Sequence, residues 1–152
     1  MSSQFKPSFD KDYLKSVKSK RFGIVSSEWN SEIINRLLDG AFDFFDTIGL
    51  NKKDILHHIV PGSFELIYGC ANMRRKYDLD AIIAVGSIIK GETKHFDFIS
   101  QSSTNAIMDL SVMSKKPIGN GIITCLNMAQ AKARRKKGAE AAEAVVSVLS
   151  QK

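Results

Sequence analysis

The chain has 152 residues, of which 43% are hydrophobic and 25% charged; this suits one domain with a substantial core and excludes wholesale disorder. The formal net charge of +6 is compatible with nucleic acid, a membrane surface or phosphorylated ligands, but much of it is local, in residues 1–21 and in the run 132–137. No apolar stretch approaches transmembrane length and the polar N-terminus lacks a signal-peptide core, so a cytoplasmic location and no membrane partner are expected.

Residues 1–20 carry many charges and few large apolar side chains and are expected as a flexible N-terminal arm, with residues 21–152 as a single domain. A first strand is predicted over 21–26. Ser27-Glu28-Trp29-Asn30 breaks it, with Asn30 or Ser31 as a helix cap. Ile33, Ile34, Leu37, Leu38, Ala41, Phe44 and Phe45 then recur at helical spacing until Gly49. A second strand is predicted over 55–60. Pro61-Gly62 turns the chain, and a helix follows from Phe64 towards Arg75. The third strand, 81–85, stops at a small-residue break, Gly86-Ser87. A helix that begins near Thr93–His95 carries Ile99, Ala106, Ile107, Leu110 and Met113, and Pro117 ends that region. A fourth strand is predicted over 121–124, then a helix over 128–135, an interruption at Gly138 and a last helix over 139–149. Strands alternating with helices imply an α/β fold with a four-stranded parallel sheet covered on both faces. Ligands of such sheets sit beyond the carboxyl ends of the strands. The polar breaks at 27–30, 61–65, 87–95 and 125–127 all follow strands, and are expected along that edge.

The stretch 81–98, AIIAVGSIIKGETKHFDF, is the centre of the chemistry. A buried strand delivers a polar loop, Lys90 to Lys94, to the start of a helix, where unsatisfied amides and a positive partial charge favour an anion. Gly91-Glu92-Thr93 lacks the lysine and hydroxyl of a nucleotide P-loop, which disfavours a nucleoside triphosphate. Glu92 suits an anion site only if its side chain faces solvent and its amide faces inward. His95, in the first helical turn, has the pKa range of a general acid or base. His57 and His58 lie on a predicted strand and read as structural. Trp29 follows a strand in a polar loop, where an indole stacks on a planar heterocycle for on the order of 1 kcal/mol or else caps the core. Pro61-Gly62-Ser63-Phe64-Glu65 offers a turn, free amides, a hydroxyl and a carboxylate, which suit a polyhydroxy chain or a plain helix start. The run 132–137 reads as a phosphate clamp or as a solvated basic face, and no aromatic is interleaved with it as in a nucleic-acid patch. Cys70 and Cys125 fit no metal spacing and read as buried reduced thiols.

The ordered set GIVSSEWN, VPGSFEL, AVGSIIKGETKHFDFIS and GNGIITCLNMAQAKAR resembles the lumazine synthase family over residues 21–149. The resemblance implies a flavodoxin-like three-layer sandwich and a cofactor-free, metal-free transferase of riboflavin biosynthesis. Such an enzyme joins 5-amino-6-(D-ribitylamino)uracil to 3,4-dihydroxy-2-butanone 4-phosphate. It implies that Trp29 stacks on the pyrimidine beside Asn30. Ser63, Phe64 and Glu65 hold the ribityl side, and Ser87, Ile88 and Ile89 form the floor. Gly91, Glu92, Thr93 and Arg134 bind the phosphate, and His95 transfers protons. Asn120 falls where many members place an apolar or aromatic side chain near the ring, and Lys137 matches a lysine near the pyrimidine. Ala133 replaces a common glutamate, Lys90 a common arginine, and the stretch from Arg134 to Gly138 is short for the family. Members form homopentamers or multiples of them with sites at subunit interfaces, and no nucleic-acid partner is implied. Two other classes are compatible with these residues: a binding or storage protein that keeps the pocket without turnover, and a nucleic-acid binder using the arm and the Lys132 run.

Overall fold

The computed structural model describes residues 9–151. In chain order the elements are α1 (Lys11–Val17), β1 (Phe22–Ser27), α2 (Ser31–Thr47), a 3-10 turn (Lys52–Asp54), β2 (Leu56–Val60), α3 (Ser63–Lys76), β3 (Ala81–Ile89), α4 (His95–Ser114), β4 (Ile118–Cys125), α5 (Met128–Ala133) and α6 (Lys137–Leu149). The four strands are parallel throughout, in the order β2-β1-β3-β4. A parallel sheet needs helices on both faces, and the central strands must therefore be apolar on both sides. β3 meets that demand, with eight of its nine residues buried.

Alternation along β1 and β3 divides the core into two layers. Phe22, Ile24, Ile83 and Val85 point to one face and meet Leu37, Ala41 and Phe45 of α2 with Ala142, Val145 and Val146 of α6. Val25, Ile82 and Ala84 point to the other and meet Leu66, Cys70 and Met73 of α3 with Ile107 of α4. The layered parallel α/β architecture is the one expected, and none of the described helices is long and apolar enough to cross a membrane.

Three local expectations change. Gly86 and Ser87 do not end β3; they pair with Ile122 and Ile123, and the strand runs on to Ile89. A β-carbon at Gly86 would lie 2.6 Å from Leu66 Cδ1 and 2.9 Å from Ser63 Oγ, so this glycine lets α3 seat its first turn on the strand. Gly138 lies inside α6 and interrupts nothing: a β-carbon there would overlap the Leu37 carbonyl oxygen, and its absence brings α6 onto α2. Part of the segment expected as an arm is a packed helix. Asp10 Oδ1 caps α1 by accepting from Tyr13 N at 2.7 Å, the Tyr13 hydroxyl donates to the Val146 carbonyl, and Val17 is fully buried. Phe9, Tyr13 and Val17 recur every four residues, which places them on one helical face. The remainder of the expected arm, residues 1–8, lies outside the described residues.

His57 is held inside this framework, its Nε2 2.8 Å from Ser26 Oγ and its ring edge-on to Phe42. Burial first, then the positive field of Lys52 and His58, lowers its pKa. Both cysteines are free and buried, and burial pushes the Cys70 thiol up to about 12.

Candidate active site

The carboxyl ends of β1, β2 and β3 open onto a cavity of about 680 Å³ on the α3 and α4 side of the sheet. Its walls are built by main-chain pairing that continues past the strand ends. Glu28 N donates to the Val60 carbonyl at 2.8 Å and Trp29 N to the Pro61 carbonyl at 3.1 Å, which fastens the loop after β1 to the loop after β2. Trp29 and Asn30 line the cavity there. The indole is 79% exposed, so it faces the opening and does not cap the core.

The first turn of α3 supplies Ser63, Phe64 and Glu65. Glu65 Oε2 accepts from Gly62 N at 3.1 Å, which places its carboxylate at the positive end of the helix. Phe64 is 73% exposed at the opening. Ser63 Oγ is buried against Gly86 without a hydrogen-bond partner, and Ser87 Oγ is likewise unpartnered. Two unsatisfied hydroxyls at the wall of this mostly apolar cavity are a reservoir for ligand hydrogen bonds. Ser87, Ile88 and Ile89, the last residues of β3, form the floor, with Ser87 and Ile88 both under a tenth exposed.

His95 opens α4 and lines the cavity from the opposite side. Its amide donates to Thr93 Oγ1 at 3.4 Å, a long bond that fixes the turn only loosely. The preceding loop is tied at its start, where Lys90 N donates to the Cys125 carbonyl at 2.9 Å. Gly91, Glu92 and Thr93 are exposed beyond it, on the approach to His95, and Gly91 faces open space.

Nine of the residues singled out in the sequence thus meet in one cavity. Six do not line it: Gly91, Glu92 and Thr93 stand on the exposed loop before His95, and three more lie elsewhere on the chain. Asn120 lies on β4 opposite Ala84, with its Oδ1 accepting from Ile122 N. Arg134 ends α5, donating to the Gln130 carbonyl at 3.3 Å and lying close enough to Cys125 to offset part of the burial that raises that thiol. Lys137 pairs with Glu140 at 3.2 Å on α6. For Arg134 and Lys137 the reason is layering: α5 packs Ala131 into the core on the α2 and α6 face, so the segment after β4 turns away from the cavity. Glu28, Pro61, Gly62 and Ile99 also line the cavity, though the sequence gives none of them an individual role there. The first three sit inside loops already expected at this edge, and Ile99 stands one helical turn after His95, on the same face of α4.

The family model described as 6,7-dimethyl-8-ribityllumazine synthase matches residues 19–152. A protein of that name from Christiangramia forsetii is 46% identical over 146 residues, covering 92% of this chain and 87% of its own. The one from Flavobacterium johnsoniae is 41% identical over 145 residues, covering 92% and 76%. The one from Aquifex aeolicus is 39% identical over 131 residues, covering 85% of each chain. With a match across nearly its whole length, this chain belongs to the 6,7-dimethyl-8-ribityllumazine synthase family.

Proposed function

We propose that this chain is a transferase that condenses 5-amino-6-(D-ribitylamino)uracil with 3,4-dihydroxy-2-butanone 4-phosphate to give 6,7-dimethyl-8-ribityllumazine, releasing phosphate and water. The observation that carries the reading is the convergence of an exposed indole, unpartnered hydroxyls, a helix-end carboxylate and a histidine in one cavity. In this reading Trp29 stacks on the pyrimidine beside Asn30. Ser63, Phe64 and Glu65 bind the ribityl chain and ring edge, and Ser87, Ile88 and Ile89 support the heterocycle from below.

The reaction starts when an amine of the uracil attacks the butanone carbonyl, and loss of water leaves an imine. Elimination of phosphate follows, and the second nitrogen closes the ring with loss of a further water. His95 moves protons at these steps. The amides of Gly91, Glu92 and Thr93 hold the phosphate together with Arg134, whose guanidinium grips it through two hydrogen bonds. Both reactants are reactive by themselves, so alignment matters most: it supplies about 7–11 kcal/mol of barrier, against roughly 10²–10⁴-fold for one positioned acid–base group.

Arg134, with Asn120 and Lys137, acts on the cavity of an adjoining copy, which makes the working form a homopentamer or a multiple of it. Two features support this: these residues are remote from the cavity of their own chain, and α3 and α4 expose Phe64, Tyr68, Phe98, Met108, Val112 and Met113. A surface that apolar is uncommon on a protein that works alone. The enzyme works in the cytoplasm on small molecules.

Incubating the protein with both substrates and following the lumazine chromophore tests the reaction. The wild type is expected to form it, and His95→Ala to form it roughly 10²–10⁴ times more slowly. No product from the wild type overturns the reading in favour of a binding protein.

A further inference from the structure

We infer that the left-handed backbone of Asn30 is a positioning device for Trp29, one that sets the direction of the indole independently of any contact the Asn30 amide makes; this rests on the assignment of the cavity to the ribityl pyrimidine. The residues before α1, α3 and α5, namely Asp10, Gly62 and Asn127, all have extended backbones, the usual geometry of a helix cap. Asp10 and Asn127 also cap with their side chains. Asn30 differs on both counts. Its φ of 62° and ψ of 48° are left-handed, and its side chain makes no capping bond. Only its carbonyl serves α2, accepting from Ile33 N at 2.9 Å and Ile34 N at 3.0 Å. The other left-handed non-glycine among the described residues, Lys115, follows the end of α4, where that conformation commonly closes helices.

A side chain makes the left-handed region unfavourable, and asparagine is among the few residues that tolerate it. Such a residue persists where its surroundings fix both ends. Here the preceding chain is bonded to Val60 and Pro61, and the following helix is anchored by the buried Ile33, Ile34 and Leu37. Asn30 alone absorbs the change of direction between them. The indole next to it is mostly exposed and lies beside Gly62, where a β-carbon would be 3.8 Å from Trp29 Cε3. With so little packing around it, the ring takes its direction from its own main chain, and that main chain is set by the residue that follows.

Trp29 is the only tryptophan, so its fluorescence reports on the cavity without interference. Asn30→Ala, Asn30→Gly and Asn30→Asp separate the backbone from the amide, and circular dichroism identifies any variant that fails to fold. Each is titrated with the ribitylaminouracil while tryptophan emission is read, and KM is measured for both substrates. Asn30→Ala is expected to shift the emission maximum and to weaken pyrimidine binding roughly tenfold, with KM for the butanone phosphate unchanged. Asn30→Gly, which also lacks the amide, is expected to keep the wild-type emission maximum and to bind about five to ten times better than Asn30→Ala. Asn30→Asp is expected to keep that maximum too. Glycine ordinarily weakens a structure more than alanine, so this order is diagnostic. Equal weakening by alanine and glycine, with unchanged emission in both, overturns the inference and leaves the amide as the only role. If Asn30→Ala does not fold, a shifted maximum in Asn30→Gly overturns it instead. Failure of the wild type to bind the pyrimidine overturns the assigned substrate, while the emission maxima still decide what directs the indole.

Discussion

The two faces of the sheet are finished to different degrees. On one, α2 buries Ile33, Ile34, Leu37, Leu38, Ala41, Phe42 and Phe45, and α6 buries Ala141, Ala142, Val145 and Val146 against it. On the other, α4 buries only Ser103 and Ile107 of its twenty residues, while Val112 and Met113 are 78% and 81% exposed. The first face is a core that one chain completes. The second carries the cavity and an apolar helix surface that one chain leaves open. Folding stability is therefore governed from one side of the sheet, and the assembly proposed above from the other.

The largest effect should come from the closed face. Phe45 is fully buried and packs against Phe22 with the rings tilted and their centroids 4.9 Å apart. Phe45→Ala is expected to cost about 3–5 kcal/mol of unfolding free energy in denaturant titration. A loss below about 1 kcal/mol would break the contrast, because that face would then not be the principal core. On the open face the reverse is expected. Val112→Ser with Met113→Ser should change the folding stability of a single chain by no more than about 0.5 kcal/mol per site, as exposed substitutions do. The same pair should lower the mass of the assembly seen by native mass spectrometry. An unchanged mass would remove the role proposed for this surface.

The smallest effect concerns pH. His57, on the closed side against Phe42, has a lowered pKa in the folded protein, so folding disfavours its protonation. The unfolded chain therefore binds more protons in this range. The stability tied to neutral His57 is complete above the ordinary histidine value of 6.5 and declines as pH falls below it towards the lowered folded value. Thermal unfolding at about pH 7.5 and about pH 5 should show a larger acid loss for the wild type than for His57→Gln. Equal losses would detach the ring from the acid response.

Alternation of strands and helices sufficed to read the layers, because parallel strands and their crossovers leave strong periodic patterns. The motif loops sufficed for the inner wall of the cavity, from Trp29 to His95. Three things escaped for physical reasons. Gly86 looked like a break because small residues mark turns as often as close packing, and only the position of Ser63 and Leu66 tells them apart. The packed helix at Lys11–Val17 was hidden by its lysines, which cover the outside of a face made by Tyr13 and Val17. The distance of Asn120, Arg134 and Lys137 from the cavity could not be read because spacing along a chain does not say towards which layer the segment around and after β4 turns. The left-handed angle of Asn30 belongs to the same kind: asparagine is common at helix caps, and its identity does not reveal which backbone it adopts there.

The hydrogen bonds that run on past the strand ends, from Glu28 to Val60, from Trp29 to Pro61 and from Lys90 to Cys125, have a consequence for how this enzyme can change. The peptide links under the cavity belong to the sheet's own ladder, so their amides should exchange with deuterium almost as slowly as those of β1 and β3. The side chains mounted on that frame are free to vary. Selectivity for a different heterocycle can then evolve by exchanging one side chain at a time, with the underlying scaffold left undisturbed.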